Sequence, residues 1–162
     1  MSNPTLSPSS TLCPSAQPEW EHSAAFGVIG GTADEPRTAY FDALQPVRDE
    51  LLALAVPVTP TEVFRFAAPC MCTGCVHFED AKCRLATKLV KLLPVVTEKL
   101  PRCVIRVHCR WWQQEGRAAC MRCPQVVTAN YNPSDKMRQV ADPTDSWLTN
   151  VEKGSQNPIN RV

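Results

Sequence analysis

Eight cysteines between residues 70 and 123 carry the chemistry open to this chain. The first four form the run Cys70-Met-Cys72-Thr-Gly-Cys75, with Cys83 after seven further residues. The second four are Cys103, Cys109 and, after ten residues, Cys120-Met-Arg-Cys123-Pro124. Each group contains a Cys-x2-Cys pair. That spacing turns two sulfurs toward one metal while the intervening backbone amides can hydrogen-bond the thiolates. Four and four suit two Cys₄ sites, or one site shared across the groups with spare thiols. His77 and His108 stand beside these cysteines. Each is a candidate ligand, and His77 is alternatively a donor behind the ligands.

Two metals compete for these thiols. A Cys72/Cys75 knuckle and a Cys120/Cys123 knuckle could close one structural zinc site. The knuckles stand forty-four residues apart, however, and such a site leaves Cys70, Cys83, Cys103 and Cys109 unused. Iron–sulfur clusters accept less regular spacings, and a Pro directly after a ligand Cys, as at Pro124, is a ferredoxin feature. The expectation is one or two iron–sulfur clusters, [2Fe–2S] or [4Fe–4S], with zinc as the alternative. The opening residues lack the charged and apolar regions of a secretory signal, so the expected compartment is the reducing cytoplasm, which disfavours disulfides. Thiol exchange at Cys72/Cys75 would need a helical context, and Pro69 and Gly74 argue for a loop.

The segment His108-Cys109-x10-Cys120-x2-Cys123-Pro124 resembles the C-terminal motif of ferric-siderophore reductases. That family's pattern, Cys-Cys-x10-Cys-x2-Cys, holds a [2Fe–2S] cluster that passes an electron to iron. The resemblance spans residues 108–123 and implies ligand roles for Cys109, Cys120 and Cys123. His108 occupies the family's first Cys position. Either His108 ligates, as imidazole does in Rieske-type centres, or Cys103 replaces it.

The formal charge of +1 averages opposed blocks. Residues 1–69 carry −5, residues 70–81 carry −2, residues 82–122 carry +8, and the remainder is neutral. A basic block beside Trp111-Trp112 suits nucleic acid, with phosphates on the cations and bases on the indoles. It equally suits internal compensation, because a metal held by four thiolates is negatively charged. Arg110 would then lie against the thiolates, one Trp in the core and the other over the site or at the surface.

Other chemistry is thinly represented. Gly27-Val-Ile-Gly30-Gly31-Thr32 lacks the residues of a phosphate loop and reads as a strand entering a turn. His22 reads as a surface residue. There are no paired carboxylates and no serine nucleophile motif, so no catalytic group is expected apart from a redox cofactor. No apolar run is long enough to cross a membrane.

The elements that must hold these residues form a small α+β fold. Short strands and a hairpin are expected in the N-terminal half, and a Cys-rich half of helices and loops follows. Ala24–Ile29 with Arg37–Asp42 reads as the hairpin, Val47–Leu54 as a helix after Pro46, and Val63–Phe66 as a strand. Leu85, Leu89 and Leu92 set a helix over Ala81–Leu93, and a second helix is expected over Arg110–Ala119. Residues 1–19, rich in Ser, Thr and Pro, read as a disordered tail carrying Cys13 as a free thiol. One globular domain is expected over 20–130, with its metal-binding part at 70–123, and residues 131–162 as a mostly extended or flexible tail. The function this implies is a small cytoplasmic iron–sulfur protein of electron transfer, or a redox accessory, with a partner redox protein. The alternative is a zinc-stabilised module whose basic 82–122 face contacts nucleic acid or an acidic protein.

Overall fold

The computed structural model describes residues 10–144. In chain order, the first half contains β1 (Leu12–Ala16), β2 (Ala24–Gly31), β3 (Pro36–Pro46), α1 (Asp49–Ala53), α2 (Pro60–Val63) and β4 (Phe64–Pro69). The second half contains β5 (Phe78–Glu79), β6 (Lys82–Cys83), α3 (Arg84–Leu92), α4 (Arg110–Glu115), α5 (Arg117–Cys120) and α6 (Asp135–Ala141). Strands in the first half and mainly helices and turns in the second make the α+β class expected from the sequence.

The hairpin of β2 and β3 forms where the sequence places it, with Gly31 paired to Pro36 at the turn. Gly31 has φ of +78°, a conformation open to Gly without a steric penalty. On its other edge β2 pairs with β4, and β4 pairs with β1, all antiparallel, in the order β1-β4-β2-β3. Because side chains alternate along a strand, β4 sends its residues to two different faces. Phe64, Phe66 and Ala68 pack with Ala16 and Ala25 on one face, against Leu51 and Leu52 of α1. Arg65 and Ala67 point to the other, where Leu12 and Phe26 meet Ala86 and Leu89 of α3, Trp111 of α4 and Ala119 of α5. Helices α3, α4 and α5 are therefore docked on one face of the sheet.

Four expectations change. The tail expected over 1–19 is ordered from Leu12: Leu12 and Ala16 are buried, and Cys13 lies in β1. So short and Pro-containing a strand has little periodicity of its own, and pairing with β4 holds it. The helix expected from Ala81 starts at Arg84. Asp80 and Ala81 adopt positive φ and turn β5 into β6 ahead of it. The helix expected over Arg110–Ala119 is interrupted at Gly116. The tail expected from 131 contains α6, capped by Ser134 Oγ on the Met137 N–H and anchored by buried Val140. The outer parts of both expected tails, residues 1–9 and 145–162, lie outside the described residues.

Gly116 has φ +64° and ψ −143°, and a Cβ there would meet no neighbouring atom within 4 Å. Any penalty for a side chain is thus conformational rather than steric. Gly116→Ala is expected to destabilise the fold by about 1–3 kcal/mol, read as a lower urea midpoint. An unchanged midpoint would show that the break between α4 and α5 does not require glycine.

Candidate metal centre

The eight expected cysteines fall into two places, and Cys13 joins them. The second group in chain order lines one small cavity, walled by Cys103, Cys109, Cys120 and Cys123 with Phe26, Ile105 and Trp111. The first group lines another small cavity, hereafter the first, walled by Cys13, Cys70, Cys75 and Cys83 with Trp20, Phe78 and Trp111. All nine cysteines are free thiols. The structure thus brings Cys103, and not His108, to the three cysteines of the 108–123 motif. It also places Cys75 and the Cys120/Cys123 knuckle at different cavities. Among the described residues, no three His, Cys, Asp or Glu side chains are grouped as a single metal ion would need.

Local backbone geometry aims donors at the sulfurs. The Cys72 N–H donates to Cys70 Sγ at 3.5 Å, and the His77 N–H to Cys75 Sγ at 3.4 Å. Cys83 and Cys109 occupy the N-cap positions of α3 and α4. Amides of Leu85 and Ala86 face the Cys83 sulfur, and those of Trp111 and Trp112 face that of Cys109. Ile105 does the same for Cys103 and Ser15 for Cys13. Such N–H groups favour sulfur carrying negative charge. Gln114 of α4 fixes the start of α3, accepting from the Cys83 N–H at 2.7 Å and donating to its carbonyl at 2.9 Å.

Cations surround the thiols. Arg65 is fully buried, and its Nη2 donates to Cys123 Sγ at 3.4 Å and to the Pro14 carbonyl at 3.1 Å. Its Nη1 reaches the carbonyls of Cys123 and Val126 and the Thr38 hydroxyl. Its guanidinium lies 5.2 Å from the Phe26 ring centroid and 6.0 Å from that of Trp111. Arg110 donates from Nη2 to Cys72 Sγ at 3.3 Å and stacks on Phe78. Arg106 contacts Cys120, stacks on Trp112 and donates to the Pro101 carbonyl. The expectation for the tryptophans divides accordingly: Trp111 is core and a wall of both cavities, while Trp112 is half-buried beneath Arg106.

Burial dominates the titration of these thiols. It pushes Cys13 up to about 12, and raises Cys83, Cys103, Cys109 and Cys120 against the opposing donors. Tyr40 is raised by burial and then by Cys123, which its hydroxyl meets. Burial lowers Arg65, but Cys123 and Tyr40 outweigh it and the guanidinium is held more firmly protonated. Protonated, buried thiols are poor nucleophiles, which weighs against thiol-exchange chemistry at these five cysteines. A bound metal would deprotonate them outright.

Several buried side-chain nitrogens of residues in this region lack a partner of normal geometry: Arg65 Nε, Arg106 Nε, Arg110 Nε, His77 Nδ1 and Trp111 Nε1. Trp111 Nε1 faces the Cys83 sulfur loosely. Buried polar groups are nearly always satisfied, so five orphans around two rings of thiols are a notable concentration. Sequence reading missed Arg65, Arg106, Tyr40 and Gln114. A trace of Arg65 was available, as the one charge in an otherwise apolar strand, Phe64–Pro69.

No protein family, curated protein or solved structure matches the chain.

Arg65→Met would withdraw the guanidinium donors from the carbonyls of Pro14, Cys123 and Val126 and remove the cation beside Cys123. The expected loss is at least about 3 kcal/mol, seen by urea unfolding. Arg65→Lys should restore only part of it, because one ammonium cannot reach Pro14 and Val126 together. Full stability in the Met variant would show that the buried charge is dispensable.

Proposed function

We propose that this chain binds iron–sulfur clusters at the two cysteine-lined cavities and serves in electron transfer. The observation that carries the reading is the partition of the thiols: two cavities, each walled by four cysteines and apolar side chains. Thiols that ring a space without converging on a point suit a polynuclear cluster, whose separate irons each take one sulfur. The residues fit such a group in two further respects. Unpartnered donors ring both cavities, and sulfide or thiolate sulfur would accept from them. The cations beside Cys72, Cys120 and Cys123 would offset the negative charge of a metal–thiolate centre. The local resemblance at 108–123 supports iron–sulfur ligation there, with Cys103 in the place of the motif's first cysteine.

When bound, a cluster supplies reversible one-electron acceptance. This chain's residues provide the rest. Trp111, Phe26 and Ile105 keep water from the second cavity, while Trp20, Phe78 and Leu85 do so at the first. Backbone amides and Arg65, Arg106 and Arg110 stabilise added negative charge, the lever that raises a reduction potential.

The basic 82–122 block is better read as internal compensation than as a phosphate-binding face. Arg84 pairs with Glu79, Lys88 donates to the Asp142 carbonyl, and Arg122 donates to the carbonyls of Leu93 and Ala118. With Arg106 and Arg110, half of the block's ten cations are directed inward.

Protein purified without oxygen should contain iron and acid-labile sulfide and absorb in the visible. Cys120→Ser should lose cofactor and lower the melting temperature together, because metal binding contributes folding free energy. Colourless protein without iron sinks the reading. Stoichiometric zinc in its place, with nucleic-acid affinity falling steeply with salt, would support the zinc-binding module instead.

A further inference from the structure

Five cysteines stand near the first site, and a four-thiol cage needs one fewer. Cys70, Cys75 and Cys83 all line the cavity. The choice is between Cys72, which shares their sequence cluster, and Cys13, which is fifty-seven residues upstream of Cys70. We propose that Cys13 supplies the fourth thiolate of the first cluster and that Cys72 remains outside it. The inference rests on the iron–sulfur reading above and deepens it.

Three observations converge. Cys13 is on the cavity wall with the other three, and Cys72 is not. Strand pairing explains how so remote a residue arrives there. β1 runs antiparallel to β4 with Cys13 opposite Ala68, and the Cys70 N–H donates to the Thr11 carbonyl at 2.8 Å. Cys70 is two residues beyond Ala68, so Cys13 and Cys70 leave the paired strands on the same face. The next residue of β1, Pro14, faces the opposite way and lines the other cavity.

The sulfur environments differ in the same sense. At Cys13 the amide two residues on, that of Ser15, faces the sulfur, which repeats the arrangement at Cys70 and Cys75. The amide two residues after Cys72, that of Gly74, donates to the Met71 carbonyl instead, and the Cys72 sulfur meets the Arg110 side chain at 3.3 Å, which also reaches Cys70. Cys72 itself sits at φ +49°, a left-handed conformation uncommon for a residue with a side chain. Its N–H is thereby turned to Cys70 Sγ, so Cys72 acts as the amide that supports a ligand. On ligation the Cys13 thiol releases its proton to solvent and its sulfur bonds one iron. No electron is transferred in that step.

The test compares wild type, Cys13→Ser, Cys72→Ser and the double variant Cys72→Ser/His77→Ala, all purified without oxygen and assayed for iron, sulfide and electron paramagnetic resonance. Cys13→Ser should lose one cluster's worth of iron and sulfide and keep the signal of the second site. Cys72→Ser should keep the full content. The double variant should keep it too, which leaves Cys13 as the remaining fourth donor and does not depend on the Cys13 variant folding. Loss of a cluster in Cys72→Ser, or full retention in Cys13→Ser, overturns the assignment while leaving the iron–sulfur reading intact. A wild type without iron overturns that reading itself.

Discussion

A guanidinium with no exposed surface, and no carboxylate paired to it among the described residues, sets the terms for this fold. Arg65 cannot shed its proton, and burying an uncompensated charge costs several kcal/mol even after relaxation. The side chain is tolerable only because three parts of the chain close around it. β1 gives the Pro14 carbonyl, β3 the Thr38 hydroxyl, and the segment after α5 the carbonyls of Cys123 and Val126. Two aromatic rings flank the charge, and the Cys123 sulfur lies against it, a negative neighbour once a metal deprotonates the thiol. The same hydrogen bonds that make the cation bearable tie the sheet to the cysteine-rich half. Docking and charge compensation are thus one interaction.

Around that centre, the two cages are built differently. The second draws its cysteines from one continuous stretch, so its geometry follows from α4, the turn at Gly116 and α5. The first is assembled from distant parts: an edge strand, the end of β4, a tight turn and the start of α3. Gln114 connects the two constructions, since it stands on α4 and holds the backbone of Cys83.

Legibility in the sequence followed the range of the interactions. The hairpin, the helix at 84–92 and the grouping of Cys103 with Cys109, Cys120 and Cys123 were readable, because periodicity and spacing are local properties. Cys13 was not. Its Ser- and Pro-rich surroundings look like a tail, and only pairing to β4 gives it a place. Arg65 was obscure for a related reason: an Arg within Phe64–Pro69 could equally face solvent, and the sheet decides. The basic block showed its sign in the sequence but not its direction, which depends on the carbonyls and thiols that the fold brings near.

Trp111 is the one side chain, among those described for the two cavities, that forms a wall of both. A partition shared by two rooms cannot be moved for one alone. A smaller residue there would open both cavities to each other and to water, and a larger one would crowd both. The neighbouring side chains leave little freedom to compensate, because Arg65 rests on one side of the indole and Cys83 lies near its N–H. Variation suited to just one site therefore has to come from private walls, such as Tyr40 and Arg106 on one side or Phe78 and His77 on the other. At this position the two sites can drift only together.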